Sequence, residues 1–325
     1  MEGLGMIARA HTLTKDDVIE YFTTLSNWGR WGNDDRLGTL NLITPEVRKS
    51  AATLVRTGKV VSLSRDVDPR GPQDPLRSGL GVTHRYMMID EVGAHRGRGQ
   101  VRWDAVTEQT LFMAHGSNTH LDGLAHYNWD RKNYNGFSVD DNTSSILGST
   151  KLSVHQASQG IITRGVLLDI AGLRGVEWLE PGTPIYIEDL EAAEASQDVI
   201  VRSGDALLIH TGHVAQTLKK GPDPKNQQSG LHVSCMPWLR RRDISLLVGD
   251  CIHDVQPSGF DGFDLFRPVH AIALVAMGLW LIDNAELTEL AATCKSEKRW
   301  EFFFATLPYR FVGVTGSLVN PIAMF

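Results

Sequence analysis

AHGSNTHLDGLAHY, residues 114–127, gathers His115, His120, Asp122 and His126 on one short, glycine-punctuated stretch. His120 and Asp122 are two apart. In an extended segment, positions i and i+2 point to the same side, so this imidazole and this carboxylate converge. Such a pair of N and O donors suits a divalent metal. Gly116 and Gly123 let the backbone turn tightly beside them. His126 follows beyond Gly123, where it can face the same cavity. A histidine on its own is more often a surface or core residue. Three of them with an aspartate on this kind of segment point to a metal or acid–base site. The pattern is not the helical H-E-x-x-H, because the spacing differs and glycines interrupt it.

Working outward, strand-like and helix-like segments mix without a regular period. LTKDDVIEYFT, 13–23, reads as a helix with Thr14 as its N-cap. NWGRWGNDDRLGTLN, 27–41, reads as an ordered loop. A helix is expected from Pro45 to Gly58, capped by Thr44. VVSLSRDV, 60–67, alternates like a strand. Residues 69–100 are turn-rich, either mobile or a lid. Strands are expected at 161–170, 205–212 and 246–250, and helices at 187–197 and from Met236. RPVHAIALVAMGLWLIDNA, 267–285, reads as a buried helix to Gly278 followed by a short strand, and the tail as strand and turn. No repeat or linker is visible. The expectation is one α/β domain over 1–325, with a helical and loop extension at about 1–58.

Composition narrows the function. With 32 Lys+Arg against 38 Asp+Glu, a net charge of −6 leaves no basic surplus for a nucleic-acid backbone. The wholly apolar or glycine run 271–282 is too short to span a bilayer, and no signal peptide is read at the start. The three cysteines, Cys235, Cys251 and Cys294, form no CxxC pair, and an odd number cannot all pair within the chain. A soluble, cytoplasmic protein is expected.

THLDGLAH resembles the core of the signature H-x-G-T-H-x-D-x-P-x-H of the cyclase family, which includes kynurenine formamidases and isatin hydrolases. Its longer members carry Leu-Ala where Leu124-Ala125 stand here. Further stretches are similar: WGNDDRLGTLNLITPE at 31–46, YNG at 134–136, RGVLLDIAG at 164–172, EPGTPIYIEDLEAA at 180–193, PVHAIALVAMGLWLIDNAEL at 268–287 and TGSLVNPIA at 315–323. The resemblance implies a swivelling β/β/α cyclase-like fold, with mixed sheets flanked by helices. It also implies a divalent metal, Mn or Zn, and a homo-oligomer, dimer or tetramer.

Carried over by position, His120, Asp122 and His126 match the second His, the Asp and the last His of the signature. His270 matches a downstream family His, and Asp283 stands where formamidases have a Glu. The first signature His falls on Gly116, one residue after His115. Either His115 supplies the missing ligand or the metal has lost one. The implied assignment is His115, His120 and Asp122 as metal ligands, with His126, His270 and Asp283 as catalytic residues. The implied chemistry is attack by a metal-activated water on a cyclic amide or imide or an aryl formamide, with His126 as the base. Asn118 or Thr119 would help stabilise the oxyanion. The substrate is then a small cyclic or aromatic molecule. Two alternatives stay open: a lactonase or polyketide-type cyclase/dehydratase, and a non-catalytic binding protein.

Other clusters read as structural. GDCIHD, 249–254, and HTGH, 210–213, lack motif support. Trp28 and Trp31 read as anchors of a polar loop or as a substrate lid. Trp129 could wall the pocket.

Overall fold

The computed structural model describes residues 13–67, 84–89, 107–260 and 265–325. Most of the turn-rich stretch 69–100, with its expected lid, lies outside the described residues. Among those described, the main sheet has nine strands. In spatial order they are Val60–Ser62, Ile322–Met324, Glu301–Thr306, Ile161–Asp169, Ala206–His210, Leu246–Gly249, Trp280–Asp283, His120–Asp122 and Gly316–Leu318. The four from Ile161–Asp169 to Trp280–Asp283 run parallel, and every other pairing is antiparallel.

The parallel centre follows from its sequence. ALLIH, LLVG and WLID are apolar apart from their last residues and buried throughout, as strands covered on both faces must be. Helices Ile187–Gln197, His213–Lys220, Met236–Arg242 and Thr288–Glu297 accompany these strands. Polar residues fall where the parallel strands end: Asp169, His210, Asp250 just past Gly249, and Asp283. The carboxyl ends of parallel strands are where such sheets bind ligands.

Helix Lys15–Thr24 begins at the expected N-cap, Thr14, which forms a capping box with Asp17. The helix expected to reach Gly58 stops at Ala52. Beyond it, the N–H groups of Thr57 and Gly58 both donate to the Phe325 carbonyl, so docking of the C-terminus overrides helix continuation. The strand expected over 60–67 is confined to Val60–Ser62, because its partner strand covers only Ile322–Met324. The chain then turns toward the site, where Arg65 N–H donates to Thr119 Oγ1.

The apolar helix after Arg267 also differs from its expected form. A short α-helix, Pro268–Ala271, opens into a π-helix, Ile272–Met277, which ends at Gly278 with φ 63°. The carbonyls this leaves are met by the polar loop. Trp28 Nε1 donates to Val275 at 2.7 Å, Asn27 N to Ala276 and Asn27 Nδ2 to Met277, while Thr39 N and Oγ1 both reach Gly278. Trp28 is thus an anchor. Trp31 lies against the Arg30 guanidinium, and Trp129 stacks on Phe22 with ring centroids 4.4 Å apart.

Candidate metal centre

Strand His120–Asp122 lies antiparallel to Trp280–Asp283, with His120 opposite Asp283 and Asp122 opposite Leu281. Residues directly opposite share a face, so pairing alone brings His120, Asp122 and Asp283 together. Leu121 points the other way, fully buried in the core. A 3₁₀ turn, His115–Ser117, brings His115 back over this face. Gly316 pairs with Asp122 from the other side, and a Cβ there would fall on the His115 ring, 2.8 Å from Cγ. The glycine therefore makes room for the imidazole.

All six residues expected at the site meet. Asp122 is the centre: His120 Nε2 and His115 Nε2 lie 3.5 and 3.6 Å from its Oδ1, and His126 Nε2 and His270 Nε2 lie 3.6 and 3.9 Å from its Oδ2. His270 Nε2 is also 3.2 Å from Asp283 Oδ2. Donor atoms group as His115, Asp122 and His126, and as His120, Asp122 and Asp283, with Asp122 common to both. This grouping differs from the expected ligand set, which put His115 with His120 and kept His126 apart. The His115 and His126 side chains are 30% and 26% exposed while the other four are 1% or less, so the cluster opens to solvent on their side.

The electrostatics are those of an unanswered charge. Burial raises the Asp122 carboxyl, but the charges of His126 and His120 outweigh it and hold it at about 2. Burial also pushes Asp283 up, and His270, His253 and His120 hold it well below the usual carboxylate range. Burial would lower His270, yet Asp283 and Asp254 raise it to about 10. Burial lowers His126, and the attraction of Asp122 does not recover it. Both Asp122 oxygens and Asp283 Oδ1 are buried without a hydrogen-bond partner: the imidazoles nearest Asp122 stand 3.5–3.6 Å off, beyond hydrogen-bond reach, and His253 Nε2, 3.3 Å from Asp283 Oδ1, gives its proton to the Ile282 carbonyl. Leaving buried carboxylate oxygens so costs several kcal/mol. A divalent cation among these N and O donors fits the deficit, so the residues present suit the implied metal.

Several imidazoles are already oriented. His120 donates Nδ1–H to the Asn118 carbonyl at 2.7 Å, which turns Nε2 toward the carboxylates. His270 donates Nδ1–H to Asp254 Oδ2 at 2.6 Å, and His253 Nε2 donates to the Ile282 carbonyl beside Asp283. Neither oxyanion candidate has its side chain free. Thr119 Oγ1 donates to the Asn284 carbonyl, and Asn118 Nδ2 to that of Arg65. His210 and His213 stand outside both donor groups. His210 Nδ1 pairs with Asp169 at 2.7 Å, and His213 N donates to Asp250.

His253 and Asp254 are the residues at this site that sequence reasoning did not place. The acidic and imidazole content of GDCIHD was the available signal. No spacing rule shows that its turn, with His253 at φ 61°, swings against the end of the neighbouring strand.

Comparison with known proteins follows the same line. The profile of the family described as "Putative cyclase" matches residues 39–253. A crystal structure of a novel cyclase is similar at 32% identity and a TM-score of 0.82, covering 94% of this chain and 99% of the other. Isatin hydrolase A from Ralstonia solanacearum shares the fold at 16% identity and a TM-score of 0.54, covering 82% of this chain and 91% of that one. Isatin hydrolase A from Labrenzia aggregata, bound to benzyl benzoate, does so at 14% identity and 0.53, over 84% and 94%. None of the curated proteins matches the chain.

Proposed function

The chain belongs to the cyclase family, whose mixed sheet flanked by helices it carries, and from that premise we propose that it is a metal-dependent hydrolase. Its substrate is a small cyclic amide or imide, or an aryl formamide. The reading rests above all on one observation: Asp122 is fully enclosed, ringed by four imidazoles, and neither of its oxygens accepts a hydrogen bond. A purely structural aspartate would have found a donor. Isatin hydrolases share the fold, and isatin is itself a cyclic amide, which supports the substrate class.

His115, His120, Asp122 and Asp283 would hold the cation through the atoms that face each other, leaving the His126 imidazole uncommitted. A divalent cation there would supply Lewis acidity to a carbonyl and lower the pKa of water near it. His115 supports the catalytic reading over a lost-ligand one, because its Nε2 reaches Asp122 although the signature position is Gly116. His126, on the open side, would take a proton from water and return it to the leaving nitrogen. His270 holds a proton against Asp283 and fixes that carboxylate.

The test combines content and turnover. Elemental analysis of purified protein should find one or more Mn or Zn per chain. With formanilide and phthalimide as probes, product formed in labelled water should carry one labelled oxygen. Metal-free protein that gains no turnover on adding Mn or Zn would refute the reading, and product without the label would favour a lyase or cyclase.

A further inference from the structure

The turn GDCIHD, 249–254, touches the cluster without joining either donor group. Of its two aspartates, Asp254 makes three contacts with one short helix. Asp254 Oδ1 accepts from Val269 N at 2.7 Å, and Oδ2 accepts from His270 N at 3.3 Å and from His270 Nδ1 at 2.6 Å. The carboxylate therefore caps helix Pro268–Ala271 and fixes the rotation of its histidine at once. The histidine is fully buried, so it has no water to turn toward. On the same turn, His253 Nε2 lies 3.3 Å from Asp283 Oδ1. Its ring packs 2.9 Å from where a side chain at Gly249 would begin, and its backbone sits at φ 61°.

We propose that Asp254 is a positioning residue for the metal centre: by accepting the Nδ1 proton it commits the Nε2 edge of His270 to Asp283 and Asp122. The inference rests on reading the cluster as a metal centre. It gives GDCIHD a role that is neither ligation nor mere packing. Carboxylate partners of metal-site histidines tune affinity by about 10–100-fold. The donor inventory explains why an amide cannot replace the acid. In Asp254→Asn one oxygen must serve three N–H donors: facing Val269 it sets the NH₂ against Nδ1 and frees the ring to turn, and facing Nδ1 it sets the NH₂ against Val269 N–H and loses the cap.

The experiment measures binding, not turnover. Competitive titration of Mn²⁺ and Zn²⁺ should give Asp254→Asn an affinity about 10–100-fold below wild type. Asp169→Asn, which weakens a part-buried acid–imidazole pair elsewhere on the sheet, should match wild type. The metal-free wild-type protein should also show an exchange-protected, downfield Nδ1–H proton that disappears in His270→Asn. That arm needs no Asp254 variant to fold. Wild-type affinity in Asp254→Asn, equal loss in Asp169→Asn, or absence of the protected proton overturns the proposal. Failure of the wild-type protein to bind either cation is a different result, and it overturns the metal reading itself.

Discussion

Replacing Gly316 with alanine adds one methyl group to an edge strand, opposite Asp122. In most edge strands that change would be mild. Here the new Cβ would sit 2.8 Å from His115 Cγ and closer still to Cδ2 and Nε2. Carbon atoms settle at about 3.5–4.0 Å, so the ring must retreat by roughly 1 Å. The backbone of Gly316 is in a hydrogen-bonded ladder with His120–Asp122 and is less free to move than the partly exposed imidazole. A donor displaced by about 1 Å is lost to a cation whose bonds vary by only about 0.2 Å. We therefore expect cation affinity to fall by at least the roughly 10–100-fold typical of disturbing a ligand's support. Global stability should fall by about 1–3 kcal/mol for overpacking. The assay is competitive metal titration of wild type, Gly316→Ala, His115→Ala and the double variant. If the methyl acts by moving His115, its effect on affinity disappears once His115 is alanine, a strong non-additivity. Unchanged affinity in Gly316→Ala, or a full second loss in the double variant, would refute the reasoning.

Three other outcomes are expected. His126→Ala should lower turnover of a formanilide probe by about 10²–10⁴-fold per bound metal, and near wild-type turnover per metal would remove His126 as the base. Trp28→Phe removes the bond to the Val275 carbonyl and should cost about 1 kcal/mol in denaturant unfolding; no change would mean water replaces the indole N–H. Burial raises the Asp205 carboxyl to about 7 despite Arg164 nearby. A raised folded-state value favours the protonated form, so this residue's contribution to stability is complete below about 4 and is lost as pH rises through about 7. Asp205→Asn should therefore gain stability relative to wild type between about pH 4 and 7, by about 1.4 kcal/mol for each pH unit separating the folded and unfolded values. Parallel stability curves for the two proteins across that range would count against it.

The sequence made some parts of this molecule plain and hid others, for physical reasons. The strands ALLIH and LLVG could be read because burial on both faces demands an unbroken apolar run. His120 and Asp122 could be paired because a strand has a period of two. His270 and Asp283 came only from the family resemblance, since what joins them to Asp122 is the register between distant strands. His115 could be suspected but not placed: its reach depends on the space Gly316 leaves, some two hundred residues away. Asp254 could be noticed in GDCIHD but given no role, for a similar reason. A carboxylate that caps a helix fourteen residues later leaves no local pattern. The π-helix was also missed, because the groups that satisfy it, Asn27, Trp28 and Thr39, lie in a loop that reads only as polar.

Anomalous diffraction from crystals grown with Mn²⁺, collected on both sides of the metal absorption edge, tests the central claim most directly. The account predicts a peak bonded to an Asp122 carboxylate oxygen at about 2.0–2.2 Å, with imidazole Nε2 atoms completing its coordination. A map with no peak there, and Asp122 hydrogen-bonded to ordered water with its imidazoles turned away, would contradict it.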